Sequence, residues 1–372
     1  MKHRLAFFAV IIPIVLFTTE YIIFRVFQAS GVLIQPIEAG TYMLLSIVLP
    51  LLFVLVTISN TSSYLKIKSF LYTASTTWFG FVLYMFMAVV ISAIFFGINF
   101  FFNLSLPIHY IDLFLFFLAV TLVLYGLFTA DSPKIVNWEI RSESLAPHWG
   151  DKKVMLISDT HIGLVYKHRF MKKVVEMINK EKPDIIFHAG DLIDGPTFDY
   201  TRGFAPLKNI EAVLGTFYVE GNHEKYSREY QKFHHEFEKI GTLTNISDKK
   251  MIVNNTQIIG LSYTTKESHD DTKERLEALG FDENMPSIVI MHDPKNTRAL
   301  TGKGVSLVLS GHTHGGQCFP FTLIPRKIYG PYNHGVAYTD GIPSATSYGV
   351  GTAVTPLRVG TVSEIVILNI KS

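Results

Sequence analysis

Residues 305–317 read VSLVLSGHTHGGQ, a short apolar, β-branched run that stops at a glycine and is followed at once by two histidines one residue apart. A run of that length and composition, bounded by Gly, reads as a buried strand that delivers imidazoles into a tight loop. Four earlier segments repeat the pattern. VMLISDTH (154–161) leads into Asp159 and His161, IIFHAGD (185–191) into Asp191, TFYVEGNHE (216–224) into Asn222 and His223, and IVIMHD (288–293) into His292. Charged stretches of helical period lie between these runs, so the class is a layered α/β domain. Ligands of open α/β sheets collect beyond the carboxyl ends of strands, so the five loops are expected to converge at one edge of the sheet.

The converging side chains are oxygen and imidazole donors without thiolate, a set suited to Mn, Fe, Zn or Co rather than to copper or an iron–sulfur cluster. They are too many for one tetrahedral zinc. Two ions sharing a carboxylate would use them all, and that arrangement clamps a phosphoryl group and activates water, so phosphoester hydrolysis is the expected chemistry. The single cysteine, Cys318, follows the last loop; with no partner in the chain it forms no internal disulfide, and an inert small hydrophobe is the expectation for it.

In order along the chain, D-x-H, G-D, G-N-H-E, a lone H and G-H-x-H resemble the calcineurin-like metallophosphoesterase superfamily, over roughly residues 150 to 370. The resemblance implies an α/β metallophosphoesterase domain, a layered β-sandwich flanked by helices. It implies one metal ion on Asp159, His161 and His314, a second on Asn222, His292 and His312, and Asp191 bridging them. His223 would be the catalytic acid or electrostatic stabiliser over the phosphate. His168, His188, His234, His235, His269 and His334 match no ligand position, and Asp194 and Glu224 are candidates to orient the residues that do. The family's protein Ser/Thr phosphatases carry an Arg after G-D-x-x-D. Here Asp194 is followed by Gly195 and Pro196, which disfavours that branch.

The first 130 residues have a different texture. The 372-residue chain has 33 Lys/Arg and 31 Asp/Glu, and this region holds only eight of them; with 48% hydrophobic residues overall, membrane segments are required. Four apolar runs, about 5–27, 41–59, 70–97 and 111–130, each reach the roughly 20 residues that span a bilayer. A signal peptide is the alternative for the first, but no small-x-small cleavage site follows promptly. Glu20 and Arg25 near the end of that run are expected to sit at an interface or to pair with each other. The expected organisation is a four-helix transmembrane domain (1–130), a linker (131–150) and the phosphoesterase domain (151–372). Lys2, Arg4, Lys66, Lys68, Lys134 and Arg141 flank alternate ends of the spans, while 28–40 and 98–110 have no Lys or Arg. That asymmetry puts both termini and the catalytic domain on the cytoplasmic side of the inner membrane.

The formal net charge of +2 provides no basic field for a nucleic-acid partner. The expected partners are instead the bilayer and an amphiphilic phosphorylated lipid. The ending GHTHGGQ with Gly349-Val350-Gly351-Thr352 and Pro356-Leu357-Arg358 resembles the membrane-associated bacterial branch of the superfamily, which acts on lipid-like substrates. That resemblance implies hydrolysis of UDP-2,3-diacylglucosamine to UMP and 2,3-diacylglucosamine 1-phosphate in lipid A biosynthesis, with Mn as the first choice of metal. Another phospholipid or nucleotide ester is the alternative, and a non-enzymatic membrane sensor the remote one. Arg326, Lys327 and Arg358 are the expected substrate-binding cations; residues 319–332 mix the first two with Phe, Leu, Ile and Tyr, a composition suited to an acyl or headgroup lip.

Overall fold

The computed structural model describes residues 16–28, 36–58, 64–194, 199–265, 268–339 and 341–372. The chain divides into two compact units, Met1–Phe128 with Val354–Leu357, and Thr129–Ala353 with Arg358–Ser372.

In the first unit, residues 16–28 (α1), Pro36–Ile58 (α2), Leu65–Phe101 (α3) and Ile108–Ala130 (α4) are helical. Three of these, α2 to α4, are long and apolar enough to cross a membrane. Their outward side chains include Leu44, Leu55, Phe114 and Phe128, an exposed apolar surface that water disfavours and hydrocarbon accepts. About half of the expected first span, residues 5–15, lies outside the described residues, which begin at residue 16. Glu20 and Arg25 do not pair. Five positions apart on a helix they point about 140° away from each other. Glu20 is buried and accepts from Trp78 Nε1 at 2.9 Å, whereas Arg25 Nη1 donates to the Tyr21 hydroxyl at 3.2 Å.

The second unit runs β1 (Lys134–Arg141), α5 (Ala146–Trp149), β2 (Val154–Ile157), α6 (His168–Glu181), β3 (Ile185–His188), α7 (Tyr200–Phe204), β4 (Thr216–Tyr218), α8 (Asn222–Tyr226), α9 (Tyr230–Glu238), β5 (Leu243–Asn245), β6 (Lys249–Val253) and β7 (Thr256–Leu261). It continues with α10 (His269–Ala278), β8 (Ser287–Met291), β9 (Leu307–Ser310), α11 (Leu323–Tyr329), β10 (Gly335–Thr339), β11 (Ile342–Thr346) and β12 (Glu364–Lys371). The strands form two six-stranded mixed sheets, in the orders β1-β12-β2-β3-β4-β5 and β10-β11-β9-β8-β7-β6. Strands β2 to β5 are mutually parallel, as are β7, β8 and β9.

Period-two alternation explains why the strand runs are continuously apolar. Val154 and Leu156 face Ile288, Ile290, Leu307 and Leu309 in one core between the sheets. The intervening Val289, Met291 and Val308 face outward into a second core with Leu276 of α10. Both faces of β8 and β9 are therefore covered, which polar alternation would not permit. Helix α6 buries Phe170, Met171, Val174, Val175 and Ile178, the stripe of a helix packed on one side only.

Two expectations are corrected here. The five loops do not line one edge of one sheet: three follow β2, β3 and β4 and two follow β8 and β9, in opposing layers of the sandwich. Nor is 131–150 a linker. Its β1 pairs with the C-terminal β12 in parallel along eight positions, and Trp149 is fully buried with its indole N–H on Thr256 Oγ1 at 2.8 Å. β1 reads poorly as a strand because it is a half-exposed edge with charges at 134, 139 and 141, and its partner lies more than 200 residues away.

A surface ion pair offers a check on the domain's electrostatics. Burial raises the Asp248 carboxyl, but hydrogen bonds from Ser262 Oγ (2.6 Å) and Arg275 outweigh it and hold the acid below its ordinary value. A depressed carboxylate stabilises the fold above its unfolded pKa, near 3.9, and that contribution disappears as pH falls through the lower folded value. With its side chain half exposed the pair is worth about 0.5–1 kcal/mol. The melting difference between wild type and Asp248→Asn is therefore expected to hold from pH 8 to about 5 and to close as pH falls below about 4.

Candidate metal centre

Five of the seven expected ligands, Asp159, His161, Asp191, His312 and His314, have φ between 45° and 72°. This left-handed region costs an ordinary L-residue on the order of 1–2 kcal/mol, and such strain persists only where the surroundings impose it. Gly221 shows how close the packing is: a Cβ there would lie 2.2 Å from Asp191 Oδ1.

The ligand-type side chains meet in two groups, Asp159–His161–His314 and Asp191–His292–His312, the donor atoms of each lying within 4.8 Å of one another. In the first, His161 Nε2 is 3.0 Å from His314 Nε2, and Asp159 Oδ1 is 3.4 Å from the latter. In the second, His292 Nε2 is 3.1 Å from His312 Nδ1, from Asn222 Oδ1 and from Asp191 Oδ2. Asp191 Oδ2 is also 3.9 Å from His161 Nε2, so this one oxygen stands between the groups. All seven residues named from the sequence are thus brought together.

Hydrogen bonds around the groups set which atoms face inward. His292 Nδ1 meets the Ala189 carbonyl at 2.7 Å; a carbonyl only accepts, so Nδ1 carries a proton and Nε2 is turned to the centre. Asp159 accepts from the His312 amide at 3.0 Å, and Asp191 Oδ1 from the His223 amide at 2.9 Å. Glu224, fully buried, accepts from the amides of Gly221, Asp191 and Ile193 and so ties the loop after β4 to the loop after β3.

Burial pushes the His161 and His312 rings down to about 4 and the His314 ring well below its ordinary value, leaving them neutral, the form that ligates a cation. Burial also works against charge on His292 and His223, but the Asp191 carboxylate beside them, joined by Asp194 at His223, raises both to about 10. Asp191 is held well below the carboxylate range because those imidazoliums outweigh its burial. Burial lifts Asp159 to about 6, and burial with the Asp191 charge lifts Glu224 to about 7. Pairs of imidazole nitrogens aimed at each other at about 3 Å, backed by carboxylates and lacking thiolate, fit hard or borderline divalent ions.

A third group, His161–Asp194–His223, adjoins the first. Asp194 Oδ1 receives His223 Nδ1 at 2.9 Å, while the other ring nitrogen, Nε2, lies 3.9 Å from Asp191 Oδ2, and the His223 side chain is 27% exposed. Asp194 is the residue that motif reading undervalued; its position three after Asp191 was the available signal. The six histidines named above as matching no ligand position join none of these groups among the described residues. His188 is buried in β3 with Nε2 3.3 Å from Thr160 Oγ1, and His334 lies 3.0 Å from Glu364. Cys318 is buried, as expected of a structural residue.

The expected substrate cations part company. Arg326 and Lys327 are exposed on α11. Arg358 is wholly buried and cannot reach a substrate: its Nη2 donates to the carbonyls of Tyr348 (2.7 Å), Gly349 (3.1 Å) and Gly351 (2.6 Å) and lies 3.4 Å from His314 Nδ1. It is a positioning residue for the 348–351 loop and His314. Arg358→Met strands three carbonyls and is expected to cost about 3 kcal/mol, read as a lowered melting temperature. Arg358→Lys, one point donor in place of a fork, is expected to fall in between.

The calcineurin-like phosphoesterase family matches residues 152–316, a span that contains all five loops. Among curated relatives, an uncharacterized metallophosphoesterase of Campylobacter jejuni is 31% identical over 281 residues, 73% of this chain and 72% of its own. The chain belongs to the calcineurin-like metallophosphoesterases. An uncharacterized metallophosphoesterase of Helicobacter pylori is 32% identical over 248 residues, and the match spans 64% of each chain. A transmembrane protein with metallophosphoesterase domain from Danio rerio is 28% identical over 272 residues, 67% of this chain and 60% of its own. Membership of the metallophosphoesterases and apolar membrane-length helices thus occur together in this chain, and a domain of this kind occurs in a relative named as a transmembrane protein.

Proposed function

We propose that the second unit is a metal-dependent hydrolase of a phosphoester or pyrophosphate bond in a membrane lipid. The observation that supports it is Asp191 Oδ2, 3.1 Å from His292 Nε2 and 3.9 Å from His161 Nε2, one carboxylate oxygen between two sets of ligand-type residues. Asp159, His161 and His314 would hold one divalent ion and Asn222, His292 and His312 the other, with Asp191 common to both. When bound, such ions neutralise phosphoryl oxygens and acidify an attacking water; Mn is the first choice, with Fe, Zn or Co as alternatives. His223 is the chain's own proton donor. Its Nδ1 is committed to Asp194, which leaves Nε2 to protonate the leaving oxygen and to offset charge developing on the phosphoryl group.

The three membrane-length helices favour a substrate that shares the bilayer, because an anchored enzyme meets it in two dimensions. The Lys/Arg asymmetry of the loops favours an inner-membrane protein with its catalytic unit in the cytoplasm. UDP-2,3-diacylglucosamine, cleaved to UMP and diacylglucosamine 1-phosphate, is the first substrate to test; another phospholipid or a nucleotide ester is the second. Full-length protein in detergent, with Mn or with chelator, is to be given this lipid beside a phospholipid panel and bis-p-nitrophenyl phosphate. UMP release from the nucleotide lipid that requires metal is the expected result. Metal-dependent cleavage of the other esters alone would remove that lipid and keep the hydrolase, and inactivity on every ester with metal present would overturn the hydrolase.

A further inference from the structure

Ten large hydrophobic side chains of the second unit are exposed among the described residues, and half of them fall within ten positions: Phe319, Phe321, Leu323, Ile324 and Ile328, each between 44% and 63% exposed. Ile324 and Ile328 are one helical turn apart on α11 and share its exposed side with Lys327, Leu323 lies about 100° round the helix from Ile324, and Pro325 is buried. Arg326 and Lys327 are exposed on the same turns, and the sequence has no Asp or Glu from 311 to 339. An exposed apolar cluster interspersed with cations, in a stretch of sequence without acids, complements the acyl boundary and headgroups of an anionic bilayer.

The face is fixed to the candidate metal centre. Gly316, two residues after His314, has φ +74° and packs so tightly on the turn before α11 that a Cβ would lie 2.3 Å from the Phe321 carbonyl oxygen. At the other end of α11, the Tyr329 ring stands edge-on to His312 with centroids 6.3 Å apart. The same polypeptide carries helices long and apolar enough to cross a membrane, so a bilayer is within reach of the catalytic unit.

We propose that the Phe319–Ile328 face is a membrane-surface contact that beds into the headgroup region of an anionic bilayer and lets a phosphorylated lipid pass to the centre without crossing bulk water. Its activity arm, though not its binding arm, rests on the lipid-hydrolase reading above. Full-length protein in a Cys318→Ser background is to be labelled with an environment-sensitive fluorophore at Ile328→Cys, or at Val213→Cys as control, Val213 being 85% exposed. It is then reconstituted in phosphatidylcholine vesicles with or without roughly one-third phosphatidylglycerol. The expected result is a blue-shifted emission at 328, quenched at least about twofold by nitroxide lipids and stronger with phosphatidylglycerol, beside an unshifted signal at 213. Emission at 328 as water-like as at 213 would overturn the proposal. So would a shift that grows with protein density at constant lipid, which would assign the face to a second copy of the chain.

In the activity arm, Leu323→Ser/Ile324→Ser/Ile328→Ser is expected to cut hydrolysis of vesicle-borne lipid about tenfold while the soluble diester is cleaved as by wild type. Equal loss on both substrates would overturn the lip. A fluorescence shift without any lipid hydrolysis by wild type would remove the lipid substrate and leave the membrane contact standing; lipid hydrolysis without the shift would do the reverse.

Discussion

Asp191→Asn is expected to lower kcat/KM on a soluble diester by about 10³-fold or more and to leave fewer than two metal ions per chain by elemental analysis. The physical reason is specific to this oxygen. Oδ2 faces both His292 and His161, so one substitution removes the charge shared by both ion positions. The fold should survive, because an amide oxygen still accepts from the His223 N–H that Oδ1 now engages. An unchanged melting profile with lost metal would separate loss of the site from loss of structure. Full activity with two ions bound would refute the bridging role.

His223→Ala is expected to behave differently, with kcat reduced about 10²- to 10⁴-fold and metal content preserved. His223 is held as an imidazolium by contacts with Asp191 and Asp194 that outweigh its burial, and its side chain is partly exposed. If it protonates the leaving oxygen, the loss should be small for nitrophenol, which leaves unaided, and large for an alkyl leaving group. A loss that ignores the leaving group would reduce its role to charge stabilisation. Asp194→Asn should give a weaker version of the same pattern, about 10- to 100-fold, since it acts by orienting the ring.

The candidate metal centre was more legible in this sequence than the fold that builds it. Each ligand-type residue follows a buried strand, and in three of the five loops a glycine stands directly before it, as in Gly190-Asp191, Gly221-Asn222 and Gly311-His312, a mark that survives without tertiary context. Residues acting through a ligand leave no such mark. Arg358 looked like a phosphate-binding cation, and its true partners, the carbonyls at 348, 349 and 351, are recognisable only once the loop is folded around it. Asp194 and Glu224 sat beside motif residues, but whether a carboxylate faces solvent or collects three buried amides depends on what closes over it.

The sequence by itself determined the split between an apolar and a catalytic half, the α/β class, and the seven ligand-type residues, because hydropathy periods and strand-ending Gly–polar pairs are local properties of the chain. Only the tertiary structure decided that the ligands arrive from two opposing sheets, that β1 and Trp149 belong to the core, that Glu20 takes Trp78 rather than Arg25, and that Arg358 is buried while Leu323, Ile324 and Ile328 of α11 are exposed. The convergence of the two sheets, the β1 pairing and the Glu20–Trp78 contact turn on residues tens to hundreds of positions apart, which no window along the chain contains. The partners of Arg358 lie seven to ten positions away, and for it burial decided, which exists only after the sheets have closed.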